Sequence, residues 1–488
     1  MKRIFEYLSE KTKWLRSVLV TILLIAIIVL AYFALNLWVE SIEISDIDLT
    51  GEKLYSISQE TKDKLKNINQ DITINLYGYT GTPVQDFAKL YEKENEHIKC
   101  VDLTENISAR QDLKDEYGVG TTTTQAIVIE AGSRKKILTY NDLYSYDYTT
   151  YEEVDITEQA ITNAILDVNL EKKPQIYMIT NHAKYANNYQ ILTEYLRNEA
   201  NEVKTLDLLV SGAIPDDCNV LMITELKEDI TEYERDLILN YINKGGNLLI
   251  MKEPNTTGVD FKNFQTVLDT YGVKISNGIV YEANPSRTIN GYANIMLPSI
   301  NTVNDITKYI ATDGAMALID SGAIEYQDDE KLKTLGVTVQ NLATASDTAF
   351  LRTDNTQTSV VKTEKDQDAA GKPLVASIDK KINDTQTSKL VIFASSTFAS
   401  DLIINLNGNT QANRVVGIGL YNNKDIVINS ISYLTERADN ITIRKDTGVV
   451  TYTATQAENQ VIIIIICALP ILVIVTGIII WQIRRRKK

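Results

Sequence analysis

Two long apolar runs bracket the chain, Ser17–Trp38 near its start and Val461–Trp481 near its end; the second has no charged residue and opens on Ile462–Ile466. At ~1.5 Å per residue, runs of this length reach across a ~30 Å hydrocarbon core. A buried helix of a soluble protein would show a polar face over such a distance. The pattern therefore predicts transmembrane helices over 17–39 and 461–483. The first run is too long for a secretory h-region and has no small-x-small site after it, so it reads as an uncleaved anchor.

Between the runs, hydrophobic spacing predicts an α/β fold in two parts. In residues 45–170, Ser58 caps a helix, a strand covers Ile72–Tyr77, and Pro83 opens a helix that runs to about His97. Pro suits that position because its missing N–H would be unpaired there. A strand at Ile98–Leu103, a helix over Ala109–Tyr117, strands Ala126–Glu130 and Lys135–Thr139 joined by Gly132-Ser133, and a helix Thr157–Val168 follow. The order β-α-β-α-β-β-α is thioredoxin-like. A redox-active member would carry CxxC between the first strand and its helix. That segment here is Gly78-Tyr79-Thr80-Gly81-Thr82-Pro83, which has no thiol.

Residues 171–445 predict a flavodoxin- or Rossmann-like parallel-sheet domain. Strands fall at Gln175–Ile179, Val203–Leu208, Asn219–Thr224 and Asn247–Lys252, with helices Tyr189–Ala200 and Thr231–Asn243 between them. Gly245-Gly246 supplies the residue type that closes a helix in the left-handed conformation. Residues 255–345 are mixed and assign only the helix Phe261–Tyr271. Strands are expected at Leu374–Ile378, Leu390–Ala394 and Ile441–Arg444, with helices over Asn413–Tyr421 and Ile426–Thr435. Thr363–Lys372 reads as an exposed loop and 446–460 as a linker.

Charge adds the topology. Residues 1–16 carry +3 and the tail 484–488 carries +5, so the remainder of a 488-residue chain of net charge -15 holds -23. Basic residues flanking a span stay on the cytoplasmic side, which places both termini inside and the long middle outside, at the plasma membrane. Trp14, Trp38 and Trp481 are the chain's tryptophans and all lie at span edges, where indole rings favour the headgroup layer. With Arg484, Arg485 and Arg486 they are the expected interface anchors on the lipid bilayer. The acidic exterior argues against nucleic acid and against flat docking on anionic lipid. Cys100, Cys218 and Cys467 have no metal-ligand spacing, which leaves open a single long-range disulfide in the exterior.

Ligands of open α/β sheets favour the crevice at the strands' C-terminal ends. Asn181, His182, Glu225 and Glu253 arrive there and form the candidate ligand crevice. No nucleophile elbow, P-loop or metal-ligand pattern accompanies them. The expectation is a non-enzyme with no cofactor and no metal.

The chain resembles the GldG-like, gliding-motility-type auxiliary membrane subunits of a class of ABC transporter. The likeness runs through Leu49-Thr50, Lys53–Ser58, Val154–Ile165, Ile214-Pro215-Asp216, Lys244–Ile250, Leu390–Phe398, Asn429–Leu434, and the last span with Pro470, Gly477 and its arginines. The family's Gly-His-Gly-Glu-like turn is Thr180-Asn181-His182-Ala183-Lys184 here, so the acidic position carries Lys184. The resemblance implies a non-catalytic subunit that presents an extracytoplasmic domain beside separate permease and ATPase chains. The competing class is a membrane-anchored binding protein or hydrolase acting on envelope polysaccharide or peptide.

Overall fold

The computed structural model describes residues 56–146, 153–308, 310, 316–354, 361–406 and 414–437. Helix α1 (Gln59–Leu65) begins where the Ser58 hydroxyl accepts the Thr61 N–H at 3.2 Å, a helix-capping bond. Strand β1 (Ile72–Tyr77), helix α2 (Pro83–Glu94), β2 (Ile98–Asp102), α3 (Gln111–Tyr117), β3 (Ala126–Ala131), β4 (Arg134–Thr139) and α4 (Thr157–Asn169) follow. The sheet order is β2-β1-β3-β4. The helical crossover makes β1 and β2 parallel, and the two-residue turn at Gly132-Ser133 makes β3 and β4 antiparallel. Helix α4 repeats apolar residues at helical spacing, Ile161, Ala164, Ile165 and Val168, and buries them with Ile74, Leu76, Ile127 and Ile129 of the sheet.

The larger sheet is built from β5 (Gln175–Ile179), α5 (Gln190–Asn198), β6 (Glu202–Leu206), β7 (Cys218–Ile223), α6 (Glu232–Asn243), β8 (Asn247–Met251) and α7 (Lys262–Asp269), then β9 (Ser299–Ile300), β10 (Val337–Thr344), β11 (Pro373–Lys381), β12 (Thr387–Phe393) and α8 (Asn423–Leu434). Its eight strands run in the order β9-β10-β11-β12-β8-β7-β5-β6. Alternate residues enter separate cores. Ile176, Val220, Leu249 and Val391 pack with α5 and α8, whereas Tyr177, Leu221, Ile250 and Ile392 pack with α6 and α7. Burial on both faces accounts for the near-continuous apolar strands. At the α6–β8 turn, a Cβ on Gly246 would come within 2.4 Å of the Tyr241 ring. Tyr241 is held there by the Asn247 N–H, which donates to its hydroxyl at 3.2 Å.

This sheet is mixed, where the sequence predicts a parallel one. Strands β6, β5, β7, β8 and β12 are parallel neighbours, and β11, β10 and β9 each run antiparallel to the strand before. The short connection between β11 and β12 has no room for a crossover, which imposes the reversal. A second difference falls in Asn413–Tyr421, expected to be helical. Arg414–Val416 is a strand paired with Ile403–Asn405, and Gly417–Gly419 is a single 3-10 turn. Two valines followed by two glycines oppose a helix there. Residues 255–345, largely unassigned from sequence, hold short strands such as Ile279–Glu282, Tyr292–Met296 and Ile324–Tyr326, each too brief to show a period. The segment Thr363–Lys372 is less free than an exposed loop, because Gln367–Asp368 pairs with Phe350–Leu351.

All these elements belong to one compact unit that starts at Ile57. The two sheets meet through α4 and α5, where Gln159 and Asn163 donate to Glu199 at 3.1 and 3.0 Å. Cys100 and Cys218 are free and half-buried, and burial pushes both thiols up to about 11. Among the described residues no helix is long and apolar enough to cross a membrane. Both predicted spans, Trp14, Trp38, Trp481, Arg484, Arg485, Arg486 and the strand Ile441–Arg444 lie outside the described residues.

Candidate functional site

The parallel strands β5, β7, β8 and β12 deliver their C-terminal loops to one edge of the large sheet, and those loops build a crevice of about 220 Å³. Lys184 and Tyr185 come from the loop after β5, Glu253, Pro254 and Thr256 from the loop after β8, and Thr397 from the loop after β12. Ile279 and Asp320 arrive from the segment between α7 and β10. The loops are tied together by backbone bonds: the Lys184 N–H donates to the Glu225 carbonyl at 2.7 Å, and the Lys227 N–H to the His182 carbonyl at 2.8 Å.

Beneath the crevice lies a buried ion pair. Lys252 Nζ donates to Glu225 Oε1 at 2.8 Å, with side-chain exposures of 6% and 7%. The other Glu225 oxygen accepts the Glu253 N–H at 2.6 Å, and the Lys252 ammonium also donates to the Glu253 carbonyl at 3.0 Å and sits 4.5 Å from the Phe261 ring centre. Burial raises the Glu225 pKa above the usual carboxylate value, and the Lys252 charge opposes it. Above the pair, Glu253 accepts the Thr397 hydroxyl and faces Lys184 Nζ at 3.3 Å. Burial works against the Lys184 charge, but Tyr185 and Glu253 hold its pKa above the ordinary lysine value. Asp320 is raised by burial, with the Asn294 amide, 2.9 Å from its Oδ1, acting in the opposite sense.

The four residues singled out by sequence separate into two groups. Glu253 lines the crevice and Glu225 lies buried beneath it. Asn181 and His182 turn instead to Glu234 in the first turn of α6: the Asn181 amide donates to one carboxylate oxygen and His182 Nε2 lies 3.0 Å from the other. Glu234 is fully buried and completes a capping box with Thr231. Asn181 Oδ1 also accepts the Leu208 N–H at 3.1 Å. Glu228 lies 3.2 Å from His182 Nδ1, out of line for a hydrogen bond. These contacts cap helices and fasten loops.

Lys252, Asp320 and Thr397 do not figure among the candidate residues read from sequence, and Lys184 figures there only as the departure from the family's turn. Lys252 had a signal: a lone charge closing the apolar run Asn247–Met251 has to be paired if buried. Asp320 had none, since it comes from the stretch without periodicity. Among the described residues no group of three or more His, Cys, Asp or Glu is placed to hold a metal ion.

A family model described as "ABC-type uncharacterized transport system", an ABC transport auxiliary family, matches residues 173–430. The chain belongs to this family. The matched region spans the large sheet from β5 through most of α8, including every residue that lines the crevice. The chain is thereby an auxiliary component of an ABC-type transport system. No curated protein matches it. Among solved structures it is similar to the mmIFT52 N-terminal domain, at 15% identity over 53% of this chain and 97% of that one, with a TM-score of 0.38. It is also similar to a putative ThuA-like protein from Bacteroides uniformis, at 13% identity over 54% and 93%, with a TM-score of 0.31.

Proposed function

We propose that this protein is the GldG-like, non-catalytic subunit of its ABC transport system, anchored in the plasma membrane by helices over 17–39 and 461–483 with both termini cytoplasmic. It holds its α/β unit, a thioredoxin-like part followed by a Rossmann-like part, on the outer side beside separate permease and ATPase chains. The observation that carries this reading is the family match over 173–430 in a chain whose apolar runs stand on either side of it. The sequence contains no P-loop, so the ATP-driven step falls to another chain.

The two basic ends and the acidic middle set the orientation in this proposal, and paired spans would fix the exterior unit at its start and its finish. The test is purification from native membranes in several mild detergents. A permease and an ATPase are expected to copurify. Recovery of the protein alone under all conditions would overturn the proposal. Protease added to intact spheroplasts should cut within the α/β unit, and protection of that unit would reverse the topology.

A further inference from the structure

The crevice has a charge balance that selects a ligand class. Glu225 is matched by Lys252 at 2.8 Å, and Glu253 faces Lys184 at 3.3 Å. Asp320 lines the same space, and among the described residues no cation lies within ion-pair distance of it. Its charged neighbours are Glu253 and Lys184. With the two pairs balanced, the crevice keeps one uncompensated carboxylate.

That carboxylate is held in place before any ligand arrives. Asp320 has φ 47°, a left-handed conformation uncommon outside glycine and several-fold enriched in Asp and Asn. Its N–H donates to the Asn294 carbonyl at 2.9 Å, and Asn294 returns its amide to Oδ1 at the same distance. On either side, Ser395 Oγ donates to the Ile319 carbonyl at 2.6 Å and the Gly322 N–H to the Ala394 carbonyl at 2.7 Å, so the Asp320 turn is locked onto the end of β12. Strained backbone fixed from both sides is a feature of binding sites. The 220 Å³ crevice exceeds the ~10–15 Å³ that a single water needs many times over, which leaves room for a small metabolite. Pro254 and Ile279 are apolar members of a lining that is otherwise mostly polar.

We propose that the crevice binds a small organic monocation of the alkylammonium class, its nitrogen against Asp320 and its carbon stem along Pro254 and Ile279. The net charge of -23 on residues 17–483 raises the local concentration of such ligands. This inference concerns the crevice alone and does not depend on membrane topology or on partner chains.

The test uses the full chain in detergent micelles, titrated by calorimetry and by saturation-transfer NMR with three probes of one size: aminobutanol, butanediol and hydroxybutyrate. Aminobutanol is expected to bind about tenfold or more tighter than the other two, a difference of about 1.4 kcal/mol. Asp320→Asn keeps the side-chain shape and tolerates the left-handed backbone, and it should abolish that preference. Lys184→Gln removes a competing cation and should leave aminobutanol binding equal or tighter. Equal binding of butanediol, stronger binding of hydroxybutyrate, or no binding of any probe at high millimolar concentration would each overturn the proposal with the unmodified chain, even if the Asp320 variant failed to fold.

Discussion

Lys252 and Glu225 meet at 2.8 Å across the ends of neighbouring parallel strands, each with less than a tenth of its side chain exposed. Charges so placed are tolerated because each satisfies the other, and the Glu253 backbone completes both. Replacement of one partner strands the other. Glu225→Ala or Lys252→Ala should each cost about 3 kcal/mol or more. The double change Glu225→Leu with Lys252→Met should cost less than either alone, since no buried charge is left. Urea midpoints of the four chains decide the matter, and additive losses would contradict the coupling.

A second buried pair governs acid stability. Arg352 donates to Asp366 through Nε at 2.9 Å and through a terminal nitrogen at 2.7 Å, while its guanidinium lies 5.2 Å from the Tyr281 ring centre and 5.0 Å from that of Phe350. The Arg352 bonds come first among the causes that hold the Asp366 carboxyl well below the usual carboxylate range, with the Thr363 N–H adding to them against burial. The unfolded chain, with an ordinary value of about 4, takes up the proton first as the pH falls. The stabilisation is therefore complete above that ordinary value and is lost as the pH drops towards the depressed one. Asp366→Asn should lower the melting temperature most at neutral pH, with the gap closing below about pH 4. A constant gap from neutral to acid pH would refute the assignment.

Helix α5 depends on a residue far away in sequence. Asp401 accepts the Gln190 N–H at 2.6 Å and also the Ile191 N–H, groups that α5 itself cannot satisfy. Asp401→Ala should lower stability by about 1 kcal/mol, as loss of a helix cap does, and Asp401→Asn should retain most of it. Thermal unfolding of the three chains checks this, and an unchanged Asp401→Ala midpoint would remove the capping role.

How far the sequence announced these features depended on the range of the interaction. Ser58, Pro83 and Thr231 act within a turn or two of themselves, and the helices they begin were placed to within a few residues. The strands Gln175–Ile179 and Asn247–Met251 were equally plain, because burial on both faces leaves a dense apolar run. Asp401 capping α5, Asp320 turned onto the end of β12, and the reversal of β11 against β12 depend on tertiary arrangement, which a local pattern does not carry. His182 and Asn181 show the converse case. Their position after β5 was read rightly, but Glu234, arriving from α6, claims both side chains and draws them away from the crevice.

The loop that carries Thr397 is shaped by Gly417. A Cβ at Gly417 would stand 2.0 Å from the Thr397 carbonyl oxygen and 3.0 Å from the Phe398 carbonyl carbon, both backbone atoms that cannot swing aside. Asn423 clamps the same region from α8, where its amide donates to the carbonyls of Gly417 at 2.8 Å and Phe398 at 3.0 Å. Gly417→Ala must therefore push the Thr397 loop, and overpacking of this kind costs about 1–3 kcal/mol. Because the Thr397 hydroxyl donates to Glu253, the displacement reaches the crevice. Thr397→Val removes that hydroxyl without moving the backbone, and it should cost less stability than Gly417→Ala while still freeing Glu253. Thermal unfolding paired with the aminobutanol titration separates the two effects. If Gly417→Ala melts with the unmodified chain and binds the probe equally, the close packing of Gly417 on the Thr397 loop is wrong.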